Sequence, residues 1–160
     1  MPVQLAIIAL LLFPHSGPWG PRDTRSQIEG WTLRVHTDRF AEHTTCRLSK
    51  RYIYYDRGAL VFQLSSRANT IAAIYRIDGG PPRAASDDAM EFARLGFAIY
   101  NDDLTNPSAG LVRIPEGRLR AARAIVIEVK RSLFKFDVSS FAAALQGARH
   151  AGCGPGAFEG

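Results

Sequence analysis

Lysine is scarce in this chain: arginine supplies 17 of the 20 basic residues. Cysteine is scarcer still, with only Cys46 and Cys153 in 160 residues. There is no C-x-x-C pair, so a zinc site is not expected. The G-x-S-x-G, H-E-x-x-H, P-loop and G-x-G-x-x-G motifs are absent, which excludes the motif-bearing hydrolases, metalloproteases and nucleotide-binding domains. No apolar run is long enough to span a bilayer as a helix. Internal repeats and low-complexity segments are lacking too. What is present is 46% hydrophobic residues, enough for one domain with a real core. A net charge of +5 serves solubility, or favours an anionic partner such as nucleic acid, phospholipid or lipopolysaccharide.

The longest apolar run, Val3 to Phe13 (VQLAIIALLLF), has the length of a signal-peptide h-region. No Lys or Arg precedes it, and Pro14-His15-Ser16 before Gly17 is its cleavage candidate. Residues 1–20 are therefore expected to be a signal peptide; a buried element of the fold or an uncleaved anchor are the other readings. Residues 21–30, polar and punctuated, are expected to be a linker, residues 31–153 one globular domain, and residues 154–160 a tail.

Within the domain, Trp31 to His36 alternates, with Trp31, Leu33 and Val35 on one face and Thr32, Arg34 and His36 on the other, the pattern of a half-buried strand. Thr45 to Tyr55 is a second strand with a possible break near Lys50. Asp56-Arg57-Gly58 is a hairpin turn leading into Ala59 to Leu64. Asn69 to Ile77 is a further strand, stopped by Asp78-Gly79-Gly80-Pro81-Pro82. Ser86 to Leu95 is expected to be a short helix capped by Ser86, with Phe92 facing inward. Phe97 to Tyr100 reads as an extended piece and Asn101 to Gly110 as a loop. Leu111 to Ile114, Ala124 to Lys130 and Ser132 to Asp137 complete the strands, with a helical turn over Arg118 to Arg123. A last helix, capped by Ser139, places Phe141, Ala144, Leu145 and Ala148 at i, i+3, i+4 and i+7, one apolar stripe. Arg149 and His150 suit its C-terminal dipole, and Gly152 is a C′ residue. The expectation is an α+β domain, mostly antiparallel, with about seven strands in a sandwich-like arrangement, a short middle helix and a C-terminal helix. Cys46 and Cys153 are expected to form a disulfide, which would tie that last helix to an early strand and requires an oxidising compartment.

Chemistry is harder to find. His36 and His43, with Asp38 and Glu42, read as a solvated loop rather than a metal cluster. Cys153 with His150 would need a reduced thiol to act as a nucleophile. Asn101-Asp102-Asp103 lacks calcium-loop spacing. Asp87, Asp88 and Glu91 are paired acids suited to glycoside chemistry, though helix N-terminal charge explains them. Two groups are binding candidates. Tyr52 and Tyr54 share a strand face beside Lys50, Arg51 and Arg57, an aromatic and basic strand for sugars or bases. Arg118, Arg120 and Arg123 form the densest basic region. No catalytic residue, cofactor or metal is expected.

The order of features is similar to a known family. A leader is followed by Gly30-Trp31, an early cysteine, Ile77-Asp78-Gly79, Ala93-Arg94 with Gly96, a hairpin, and a closing Phe136, Phe141, Ala144, Leu145. From Gly30 to Cys153 this resembles small proteobacterial exported proteins of the invasion-associated locus B type; the mid-domain cysteine pair common there is missing near Gly96 to Tyr100. The resemblance implies a non-enzymatic envelope protein. The expected function is thus a periplasmic or secreted binding or interaction protein, with an envelope protein or an anionic envelope component as partner and no stable membrane span. A cell-wall glycan hydrolase or hydrolase inhibitor is the alternative. A nucleic-acid-binding module is a second, tied to a leader that belongs to the fold.

Overall fold

The computed structural model describes residues 22–38, 40–64, 70, 72–96 and 110–158. The stretches expected to be a leader, an extended piece at Phe97–Tyr100 and a loop over residues 101–109 lie outside this set. Ten strands are described in two antiparallel sheets. The larger contains β1 (Arg22–Ile28), β2 (Trp31–Asp38), β3 (His43–Lys50), β4 (Ile53–Asp56), β5 (Ala59–Gln63) and β8 (Leu111–Pro115), in the order β1-β2-β3-β4-β5-β8. The smaller contains β6 (Ile74–Ile77), β7 (Arg83–Ala84), β9 (Ala124–Val129) and β10 (Ser132–Asp137), in the order β10-β9-β6-β7. Among the described residues three short helices accompany them: α1 (Ala89–Arg94), α2 (Glu116–Leu119) and, after the last strand, α3 (Phe141–His150). The fold is α+β, mostly β and sandwich-like, as the alternation of the strands implied.

One core fills the space between these layers. Leu33, Leu48, Tyr55, Leu60, Phe62 and Ile114 face it from the larger sheet, and Tyr75, Ile125 and Ile127 from the smaller, all buried. Phe62 and Phe136 meet across it with ring centroids 5.0 Å apart. α3 lays the expected stripe, Phe141, Ala144, Leu145 and Ala148, against this core. Phe141 packs between Trp31 and Tyr55, at 5.6 and 5.7 Å. Each fully buried large apolar side chain contributes about 1.5–3 kcal/mol relative to exposure, so this stripe holds the helix in place.

The end of α3 follows local rules closely. Gly152 takes φ +93°, a conformation costly for other residues. Its N–H donates to the carbonyl of Arg149, and that of Cys153 to the carbonyl of Ala148, both at 3.1 Å. These are the paired bonds of a Schellman motif, and they turn Cys153 back toward the larger sheet. There it bonds Cys46 of β3, with Cα atoms 6.0 Å apart, inside the usual range of about 4.4–6.8 Å.

Several expectations need correcting. Residues 22–28 are not a linker but β1, which pairs with β2 from Arg22↔Thr37 to Ile28↔Trp31. Its RDTRSQI sequence hides this, because β1 is an edge strand and only Ile28 is partly covered. Glu29 and Gly30, at φ +51° and +79°, close the hairpin in the two-residue geometry that matches strand twist. The stretch 154–158 is not a free tail either. Phe158 is buried, bridges Cys46 and sets its ring edge-on to Tyr55 at 4.8 Å. The break near Lys50 is a full turn separating β3 from β4. The strand expected from Asn69 is described only from Ile74. Ser86 does not cap α1: a 3-10 turn at Ala85–Asp88 precedes it and Asp88 is the N-cap residue. Ser139 does not cap α3; Ser140 holds that position, and its Oγ donates to the Glu29 carbonyl at 2.8 Å.

Candidate anion-binding face

Strand alternation puts every second residue of the larger sheet on its outer, solvent side. On β1, β2 and β3 that rule and the strand register align Arg25, Arg34 and Arg47. Arg25 is directly opposite Arg34, and Arg34 directly opposite Arg47. Neighbouring strands lie about 4.7–4.9 Å apart, so three guanidinium-bearing chains stand in one row. Like charges placed directly opposite each other destabilise a sheet. Nothing in folding calls for this arrangement.

The acids of the same face do not neutralise the row. Asp23 accepts from His36 Nδ1 at 2.6 Å. Asp38 accepts the backbone N–H groups of Phe40 and Ala41 at 2.9 and 3.1 Å, bonds that hold its carboxyl below the ordinary carboxylate range. Asp56 is buried against β5 and accepts from Arg57 Nε at 3.0 Å. Among the described residues, Arg25 and Arg34 have no ion pair. Arg47 lies over the Tyr54 ring, 5.8 Å from its centroid, a cation–π contact. Arg113 of β8 continues the positive face on the far side of Tyr54, and burial lowers its pKa from the usual guanidinium value.

Two open depressions flank the row. One, of about 450 Å³, includes Asp23, His36 and Thr45 with the three arginines. The other, of about 300 Å³, includes Thr32, Ser49, Arg51, Ile53, Tyr54 and Gln63 with the same three. Tyr54 is half-buried, and burial raises its pKa, which keeps its hydroxyl a donor at neutral pH. The face can therefore bind an anion through forked N–H donors, with hydroxyl and amide groups beside them.

The residues singled out in the sequence fall in different places. Tyr52 sits in the β3–β4 turn and is 66% exposed. It lines a neighbouring cleft of about 430 Å³ with Lys50, Arg51, Lys135 and Phe136, which shares Arg51 and Ile53 with the second depression. Tyr52 and Tyr54 thus open onto different depressions and do not act as a pair. In the same cleft Lys50 donates to Asp137 at 2.8 Å; this bond and those from Ser139 hold the Asp137 carboxyl well below its ordinary range. Arg118 is engaged internally, 2.8 Å from Asp88 and 3.6 Å from Glu91. Arg120 is exposed, 3.8 Å from Glu116. Arg123 serves the fold through its main chain, whose N–H donates to Asp78 at 3.0 Å. These three arginines do not converge.

Within the acidic helix start, Asp88 is structural. Asp88 is fully buried and accepts from the Tyr75 hydroxyl at 2.6 Å; burial, followed by this bond, raises the Tyr75 pKa. An acid so enclosed cannot reach a glycosidic bond. No group of three or more metal-ligating side chains gathers among the described residues, and Asn101-Asp102-Asp103 lies outside them. No known family model matches this chain, and neither the curated proteins nor the solved structures provide a match.

Arg25 carries no signal in the sequence, because the polar stretch around it reads as a linker. Alternation alone puts Arg34 on the outer side of its strand, and Arg47 falls in the second strand. What was not legible was the strand register that brings the three together.

Proposed function

We propose that this chain is an exported, non-enzymatic binding protein of the cell envelope that engages an anionic partner on the outer face of β1, β2 and β3. The observation that carries the reading is the row Arg25, Arg34, Arg47, set in register with no acid on it. Arg25 and Arg34 carry the cost of like-charge pairing with no ion pair in return among the described residues, and a local cost of this kind is a mark of a binding surface. The apolar leader and the Cys46–Cys153 disulfide support export, since such bonds persist in oxidising compartments. No helix among the described residues is long and apolar enough to cross a membrane. The resemblance to invasion-associated locus B proteins agrees with this reading and rests on the order of sequence motifs.

The direct test is titration with inorganic tripolyphosphate by calorimetry. The triple variant Arg25→Ser, Arg34→Ser, Arg47→Ser should lose binding. A charge-matched variant, Arg120→Ser, Arg123→Ser, Arg131→Ser, should retain it. Equal loss in both would show that net charge rather than the row attracts the anion. Intact mass of the exported protein under non-reducing conditions checks leader removal and disulfide state together.

A further inference from the structure

We infer that the ligand of this face is an acidic oligosaccharide, its charged group held by Arg25, Arg34 and Arg47 and its neutral hydroxyls by the depression toward β4. The inference rests on the reading of the row as an anion site and narrows it. The row is arginine throughout, and guanidinium forks bind carboxylate, sulfate or phosphate through two parallel bonds, which lysine cannot do.

The depression toward β4 adds one further charge, Arg51, and is otherwise lined by neutral hydrogen-bonding groups and Ile53. The hydroxyls of Ser49 and Tyr54 and the amide of Gln63 have no hydrogen-bond partner among the described residues. Thr32 Oγ1 accepts from Gln27 at 2.9 Å and keeps its own O–H to give. Hydroxyls and amides both donate and accept, as sugar hydroxyls do. Both depressions share the arginine row in their linings. A chain laid along the strands therefore sets an acid on the row and a neutral ring in the depression toward β4.

Other polyanions fit less well. Single-stranded nucleic acid needs successive exposed rings on which bases stack; the Tyr54 ring is half-buried and lies under Arg47, and the exposed Tyr52 ring opens onto the neighbouring cleft. An anionic membrane needs only charge and an apolar insertion. The fully exposed ring nearby, Phe40 at 95%, stands alone in the β2–β3 turn, beyond the row.

The test is calorimetry at fixed ionic strength with five probes: a heparin hexasaccharide, an oligogalacturonate hexasaccharide, tripolyphosphate, an oligo-dT, and phosphatidylglycerol vesicles. One of the two acidic oligosaccharides should bind about tenfold or more tighter than tripolyphosphate, the gain from two or so added hydrogen bonds. Whichever binds identifies sulfate or carboxylate as the recognised acid. Ser49→Ala with Gln63→Ala should weaken that oligosaccharide about five- to tenfold and leave tripolyphosphate unchanged. Arg34→Ser should weaken both, with thermal unfolding confirming that each variant folds. Equal affinity for oligosaccharides and tripolyphosphate, untouched by the Ser49/Gln63 change, overturns the glycan and leaves the anion site standing. Tighter binding of oligo-dT or vesicles than of either oligosaccharide also overturns it. Binding indifferent to Arg34→Ser removes the glycan and the anion site together.

Discussion

Arg34 has an arginine opposite it on each neighbouring strand, and that position carries a cost visible without any ligand. Replacing it with threonine, a good strand former, removes two repulsive cross-strand pairs. Each such pair is worth roughly 0.2–1 kcal/mol. Arg34→Thr should therefore raise the melting temperature at low ionic strength, with the gain fading in high salt as the repulsion is screened. Differential scanning calorimetry at two salt concentrations checks this. A variant that melts lower in both would mean the arginines brace the sheet through their aliphatic stems and are not a strained binding row. The same residue shows the limit of sequence reading at this scale. Alternation alone put Arg34 on the solvent side. Its company there depended on Arg25 and Arg47, which are nine and thirteen residues distant, and only backbone pairing makes them neighbours.

At the level of elements, α3 was the most legible part of the chain and β1 the least, for one physical reason. Burial writes a periodic apolar pattern; edge pairing through main-chain hydrogen bonds writes none. Phe141, Ala144, Leu145 and Ala148 announced their stripe, while β1 presents one partly covered apolar residue. That residue, Ile28, meets the helix at a point of close approach. A Cβ added to Gly147 would stand 2.8 Å from Ile28 Cγ2, nearer than side-chain atoms pack. Alanine normally favours a helix over glycine by about 1 kcal/mol. Here the clash is with a methyl on a β-branched carbon, which cannot swing aside, and overpacking costs about 1–3 kcal/mol. Gly147→Ala should thus destabilise, and amide exchange should accelerate first along residues 22–28. A stabilised variant would show that β1 rides loosely on α3. The misplaced helix caps have a separate origin. Asp88 and Ser140 occupy the cap positions but spend their side chains on Tyr75 and on Glu29, contacts remote in sequence that local capping rules do not see.

For the molecule as a whole, the Cys46–Cys153 bond spans 107 residues. In the loop-entropy model a closure of this length contributes about 4–5 kcal/mol, a large share of the 5–15 kcal/mol that holds a typical domain together. Cys153→Ser should lower the melting temperature steeply and free α3 and the residues through Phe158 to protease before the rest. Limited proteolysis followed by mass mapping tests the order; first cleavage within the larger sheet would contradict it. The pairing itself was readable, since the two cysteines had only each other. The buried Phe158 beside them was not, because one apolar residue among glycines carries no pattern. Its place has a consequence for how the molecule is made. Cys153 and Phe158 are the last of the described parts to leave the ribosome, and both cover Cys46. Until those residues are in place the thiol of Cys46 has neither this partner nor this cover, and oxidants and thiol reagents can reach it. An alkylating label on Cys46 therefore marks molecules in which residues 153–158 have not closed over β3.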